Sequence, residues 1–281
     1  MRRWLTLLLV SVAAAVPAAA ALAAATAGPQ HGGGGGGRGG GIRGYFAIAC
    51  GFSHRNMDDP IVFFNQPGRS HDHTYFGNTA TNASSTPQSL RAAGRTTCRL
   101  RADTAAYWAP TLIVNDRAVE PTYAVVYYVR RTIDAVQPFP ANLKMIAGTA
   151  AARSAQGVAI TSWSCGRSRI RSSTTIPTCS TGSAFRSTLR LQVNFPNCWD
   201  GSRLDSADHK SHMAYSSEGV CPASHPVEVP ALTIVIRYPV SGAGAELSSG
   251  GQFSGHADFV NSWNQDVLAG LVDRYLNRGR R

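Results

Sequence analysis

The most chemically loaded part of the chain is residues 195–226, FPNCWDGSRLDSADHKSHMAYSSEGVCPASHP, which hold two cysteines, three histidines, three aspartates and a tryptophan. Within them Asp208, His209 and His212 stand close together, and a spacing of three puts both imidazoles on one face of a helical turn. Cys198 and Cys221 bracket the group, and a disulfide between them would hold it by restricting the unfolded chain. Two other segments carry the same chemistry: Ser70-His71-Asp72-His73 upstream and His256-Ala257-Asp258 downstream. On a strand, His71 and His73 share one face and Asp72 takes the other. The expectation is that the fold gathers these three segments into one site.

Three kinds of chemistry fit such a set. The first is a divalent metal held by His71, His73, His209, His212 and His256, with Asp208 or Asp258 as carboxylate ligand or supporting partner. Histidine and carboxylate donors suit zinc, copper, iron or manganese alike. The second is metal-free acid–base cleavage of a polysaccharide by a hydrolase or lyase. There an imidazole moves the proton, Asp200, Asp205 or Asp208 supports it, and Tyr215 acts as an acid. In both, His71, His73, Asp208, His209, His212 and His256 form the catalytic set. Tyr107, Trp108, Trp199 and Tyr215 offer apolar faces to a sugar. The third reading is a non-catalytic carbohydrate- or cell-wall-binding module whose histidines are structural. His225, between Ser224 and Pro226, is expected to be structural in any case, and His54 is evenly balanced.

Several function classes are excluded by missing motifs. There is no G-x-S-x-G elbow, no H-E-x-x-H, no C-x-x-C, no phosphate loop and no dinucleotide fingerprint. The glycine tract at 32–41 lacks the Lys-Ser/Thr of a phosphate loop.

The elements that must position these residues read mostly as short strands. Strands are expected at 45–50, 61–64, 70–76, 143–147, 158–163, 189–195 and 229–238, with a hairpin joining 111–114 to 123–130 around Asn115-Asp116-Arg117. In 189–195 the alternation sends Leu189, Leu191, Val193 and Phe195 to a core and Arg190, Gln192 and Asn194 outward. A short helix over 87–94 ends at Gly94, and one long amphipathic helix is expected over 257–277, with Asp258 in its first turn. Many strands and few helices predict a mainly β fold, a β-sandwich or jelly-roll-like single domain with a C-terminal helix; α+β is the alternative.

Residues 1–27 have a basic start, an apolar run and an Ala-Thr-Ala cleavage site, as in a secretory signal peptide. Residues 28–44 form a glycine-rich flexible tether that includes His31, and 45–281 a globular domain. No later stretch is apolar enough to span a bilayer, so no stable membrane insertion is expected after cleavage and the protein is read as secreted. Six cysteines follow the cleavage site. An even number in an exported chain predicts three disulfides; about fifteen pairings remain open, and neighbour pairing is the simplest. The net charge is +11. It favours anionic partners such as cell-wall polymers or acidic polysaccharide, while the scattered arginines, free of any aromatic-basic motif, argue against nucleic acid. The loop 165–179 carries Arg167, Arg169 and Arg171.

The blocks DDPIV at 58–62, SHDHTYFGN at 70–78, AYWAPTL at 106–112, FPNCWDG at 195–201, DSADHKSHMAY at 205–215 and HADFVNSW at 256–263 resemble the signature blocks of a secreted family of filamentous fungi and actinomycetes, known only as a domain of unknown function. The resemblance runs from about Phe46 to Tyr275 and implies no established activity. Fungal relatives tend to carry further cysteines near the C-terminus, where 275–281 has none.

Overall fold

Alternating burial along the strands shows how the chain divides into layers. The structure, a computed structural model, describes residues 44–166, 172–180 and 188–278. The expected leader at 1–27, most of the tether and Arg167, Arg169 and Arg171 lie outside the described residues.

Ten strands build two sheets: β1 (Tyr45–Cys50), β2 (Phe52–Asn56), β3 (His73–Gly77), β4 (Ala106–Pro110), β5 (Tyr123–Val129), β6 (Lys144–Gly148), β7 (Thr161–Cys165), β8 (Leu189–Asn194), β9 (Ala231–Tyr238) and β10 (His256–Val260). The first sheet runs β1-β5-β9-β8-β7 and the second β2-β3-β4-β10-β6. All pairings within them are antiparallel. β9, ALTIVIRY, is rich in β-branched residues and lies centrally, buried on both faces. Phe46, Ile48, Val126, Tyr128, Leu191, Val193, Ile234 and Ile236 of the first sheet share one buried cluster with Phe76, Tyr107, Ala109, Met145, Ala147, Ala257 and Phe259 of the second. The two inner faces therefore make the core of a sandwich, and the expected mainly β class holds.

A polar knot ties the layers together. Tyr107 on β4 and Tyr128 on β5 share a hydrogen bond of 2.7 Å, Tyr107 donates to Asp103 Oδ1 at 2.9 Å, and Trp263 Nε1 donates to Tyr128 at 2.9 Å. Burial pushes Asp103 up to about 8, so it enters this network as a neutral acid at pH 7.

The three disulfides join Cys50 to Cys98, Cys165 to Cys179 and Cys198 to Cys221, the neighbour pairing. No helix among the described residues is long and apolar enough to cross a membrane.

Several expectations change. Residues 60–65 form a turn rather than a strand, because Asp59 Oδ1 accepts from the amides of Ile61 and Val62 and curls the chain. Asn115 and Asp116 both take positive φ, 49° and 59°, in a tight turn that pairs Leu112–Val114 with Arg117–Ala118, while β5 pairs with β1 and β9. The strands expected from residues 70 and 158 begin at His73 and Thr161, and Arg190 and Asn194, expected to face outward, are buried. The expected long helix is divided: residues 256–260 are strand β10, and the helix Gln265–Leu271 starts only after the Asn264 cap and continues as a π-helical stretch, Val272–Asn277. The apolar residues of HADFV serve two faces of a sheet, so Asp258 belongs to a strand and not to a helix start.

Candidate metal centre

The site lies on the outer face of the second sheet. Strand alternation sends Thr74 and Phe76 of β3 one way and His73 and Tyr75 the other, and it likewise separates Ala257 and Phe259 from His256 and Asp258 on β10. Between them β4 contributes Trp108, the register partner of both Tyr75 and Asp258. Trp108, Tyr75, Ile61, Leu90, Ala106 and Val260 form a second apolar cluster that seals this face. Leu90 comes from the short helix over Pro87–Ala93, which has a capping box and a left-handed Gly94 as expected. His71, just before β3, folds over the edge while Asp72 turns away to Arg55 at 2.7 Å. Gly148, at φ +78°, allows the end of β6 to approach β10, since a Cβ there would stand 2.4 Å from the Gly255 carbonyl.

One nitrogen of each of His71, His73 and His256 lies within 4.8 Å of the other two. His71 Nε2 and His256 Nε2 are 3.2 Å apart. Two ligands about 2.0 Å from a tetrahedral ion stand about 3.3 Å apart, so the separation suits a shared cation. The tautomers suit it too. His73 Nδ1 donates to the Asp58 carbonyl at 2.9 Å and His256 Nδ1 to the Ser254 carbonyl at 2.8 Å, which leaves each Nε2 with its lone pair. Backbone carbonyls that fix the far ring nitrogen are the usual outer support of metal-binding histidines.

Among the described residues His73 Nε2 and Asp258 Oδ2 are buried without a hydrogen-bond partner, as are the neighbouring Trp108 Nε1 and Ser70 Oγ. An unsatisfied buried group costs about 1–3 kcal/mol, so the pair of His73 and Asp258 calls for a ligand. Asp258 Oδ2 stands 4.0 Å from His256 Nε2, beside the three nitrogens. Burial lowers the affinity of all three histidines for protons, His71 to about 4 and His256 to about 3, and His73 is lowered well below its usual range. Burial, and then the Asp59 carboxylate, pushes Asp258 well up. At neutral pH the imidazoles are uncharged donors.

The scaffold beneath is the Asp58-Asp59 segment. Asp58 accepts the Gly68 and Ala83 amides through its two carboxylate oxygens, each at 3.0 Å, and thereby fixes the carbonyl that orients His73.

Residues 59–263 match a family model described as "Domain of unknown function (DUF1996)". The chain belongs to the DUF1996 family. No curated protein and no solved structure matches it. The span matched to DUF1996 contains His71, His73, His256 and Asp258, so the whole cluster falls within the domain.

The structure does not bring the other expected site residues into this cluster. His209 and His212 are not on a helical turn: His209 takes a left-handed φ of 57°, which parts the two rings. His212 is fully buried and uses both nitrogens, Nδ1 with Ser206 Oγ at 2.8 Å and Nε2 with the Lys144 carbonyl at 2.7 Å. It has no lone pair to give. Asp208 is an exposed turn cap; the Ser211 amide, the Ser206 hydroxyl and the Lys210 amide hold it well below the usual carboxylate range. His209 instead forms a dyad, Nδ1 to Asp205 Oδ1 at 2.8 Å, with Lys144 on the same carboxylate at 3.2 Å.

Tyr107 and Trp108 are fully buried, which removes them as sugar platforms. Tyr107 belongs to the core knot, and Trp108 stacks on Tyr75 with ring centroids 5.7 Å apart. Trp199 is partly buried and donates to the Arg203 carbonyl at 2.7 Å. Tyr215 stays exposed, its hydroxyl on the Asn194 carbonyl at 2.8 Å. His54 bridges Ser53 and the Thr81 carbonyl, and His225 bridges Ser224 and the Ser211 carbonyl; both are structural. A residue passed over in the sequence, Lys210, sits near the site and donates to the Gly148 carbonyl at 2.6 Å. Its position between two histidines in DHKSH was the available signal.

Proposed function

We propose that the domain is a secreted, metal-dependent protein acting on an extracellular polysaccharide or cell-wall polymer, with the ion held by His71, His73 and His256. The observation that carries this reading is the buried, partnerless pair of His73 Nε2 and Asp258 Oδ2 beside the 3.2 Å approach of His71 to His256. Three neutral imidazoles suit zinc, copper, iron or manganese, and a bound ion of this kind activates water or polarises a substrate oxygen. Asp258 is placed to accept a proton next to the ligands, while Asp58 and Ser254 hold the rings in register. His71, the half-buried member, marks the side from which a substrate reaches the cluster. The signal-like leader and three disulfides support secretion.

Loading the protein with copper(II) tests the ligand set: its electron paramagnetic resonance spectrum is expected to carry coupling to three imidazole nitrogens. Loaded and chelator-stripped protein would then be incubated with wall polysaccharides and the soluble products weighed by mass spectrometry. Products from the loaded protein alone support the reading; identical products from both contradict metal dependence.

A metal-free reading is favoured by one observation, the Asp205–His209 dyad, in which a carboxylate orients an imidazole as an acid–base group. In that case stripped protein stays active and His209→Ala abolishes product.

A further inference from the structure

Beside the histidine cluster a groove of about 180 Å³ runs along the end of β6. Its wall includes Ile146 and Gly148, which in the sheet register lie opposite Asp258 and His256 respectively. Neighbouring strands stand about 4.8 Å apart, so the groove is one strand away from the candidate metal centre.

Among the residues lining it, Lys210 is the one charged side chain, and no carboxylate faces it there. Other cations nearby are neutralised: Lys144 by Asp205 at 3.2 Å and Arg203 by Asp200 at 2.6 Å. Among the described residues the hydrogen-bond partners of Lys210 are neutral, the Gly148 carbonyl at 2.6 Å and the Thr149 hydroxyl at 3.5 Å. An ammonium has three protons to donate, so one is left for a ligand. Gly148, whose carbonyl accepts from Lys210, is the register partner of His256, so the ammonium stands at the strand next to the cluster. Tyr215 lines the same groove, 42 % exposed, with its hydroxyl anchored and its ring held in place. A fixed aromatic face beside one hydrogen-bonding cation is a common way to hold a charged sugar.

The geometry points to a subsite for an anionic sugar, a uronate unit of an acidic polysaccharide, with its carboxylate on Lys210 and its ring against Tyr215, feeding the glycan toward His71, His73 and His256. A single ammonium with one free proton matches a monoanionic carboxylate; phosphate sites gather several converging donors. Removal of Arg2 and Arg3 with the leader takes the net charge from +11 to about +9, and this positive excess attracts a polyanion at long range. This inference rests on the metal-centre reading for its direction, whereas the binding itself is testable apart from it.

The test is calorimetric titration of the full secreted chain with trigalacturonate and with its methyl ester, which removes only the charge. Wild type, Lys210→Met, Lys210→Arg and Tyr215→Ala are compared, with metal content measured on each sample. Wild type is expected to bind the acid at least about tenfold more tightly than the ester. Lys210→Met loses about tenfold, Lys210→Arg retains most of the affinity, and Tyr215→Ala weakens both ligands. Absence of trigalacturonate binding, equal binding of acid and ester, or unchanged affinity in Lys210→Met overturns the subsite. Trigalacturonate binding by a protein that takes up no metal would leave the subsite standing and remove the metal centre; metal without trigalacturonate binding does the reverse.

Discussion

His71 and His256 are 185 residues apart in sequence, yet their Nε2 atoms meet at 3.2 Å on the outer face of one sheet. Neither residue explains the other alone. β3 and β10 flank β4, and that sheet order is what brings the two ends of the domain together.

His212 should behave as a structural residue. Replacing it by Ala leaves the Lys144 carbonyl without its imidazole donor and empties a fully buried place, at a cost of about 3 kcal/mol in denaturant unfolding. Metal content is expected to stay at the wild-type value. Loss of metal without loss of stability would put His212 back in the site.

The metal-free protein should weaken in acid. The folded-state values of His71 and His256, about 4 and about 3, lie below their ordinary 6.5, so the unfolded chain binds more protons between these limits. Stability is therefore full above 6.5 and falls as pH drops through 4 towards 3, by a few kcal/mol at most after discounting the half-exposed His71. Unfolding curves of stripped protein at pH 7, 5 and 4 measure this, and His71→Ala/His256→Ala should flatten the trend.

Asp103 has the opposite sign. Its folded value of about 8 exceeds its ordinary 3.8, so its contribution is fully present below 3.8 and is lost as pH rises through 8. Asp103→Asn keeps a neutral, hydrogen-bonding group beside Tyr107 and should gain on wild type with rising pH, by on the order of a few kcal/mol between pH 4 and 8. Parallel stability curves for the two proteins would contradict a neutral Asp103.

Cys198 and Cys221 close a loop with a sequence separation of 23 around the Asp205–His209 dyad. Replacing both by Ala is expected to cost about 3 kcal/mol through the unfolded chain. None of His71, His73 and His256 lies in that loop, so metal uptake should survive. Its loss would tie the loop to the metal centre.

Much of this was legible beforehand, and the failures have physical causes. Alternation in 45–50 marked a true strand because one of its faces is buried in the core, while 189–194 is a strand as expected but buries Arg190 and Asn194 on its other face as well. The H-x-H pair at 71 and 73 and His256 were legible as candidate ligands by residue type alone, and the structure brings one nitrogen of each within 4.8 Å of the others. Residues 256–260 were misread because HADFV, buried on both faces, has no period of two to show, and the apolar residues from Trp263 onward supplied a helical one. His209 and His212 were misjudged because their spacing presumes a helix, whereas the left-handed backbone at His209 is visible only in three dimensions. The carbonyls of Asp58 and Ser254 that set the tautomers carry no sequence signal at all.

The most direct measurement is the metal content of the untagged secreted protein by elemental mass spectrometry, beside His71→Ala with disulfides and circular dichroism matched to wild type. One transition-metal ion per chain, lost in His71→Ala and kept in His212→Ala, is the predicted result. A folded wild-type protein that carries none and takes up none from zinc, copper, iron or manganese would contradict the metal centre.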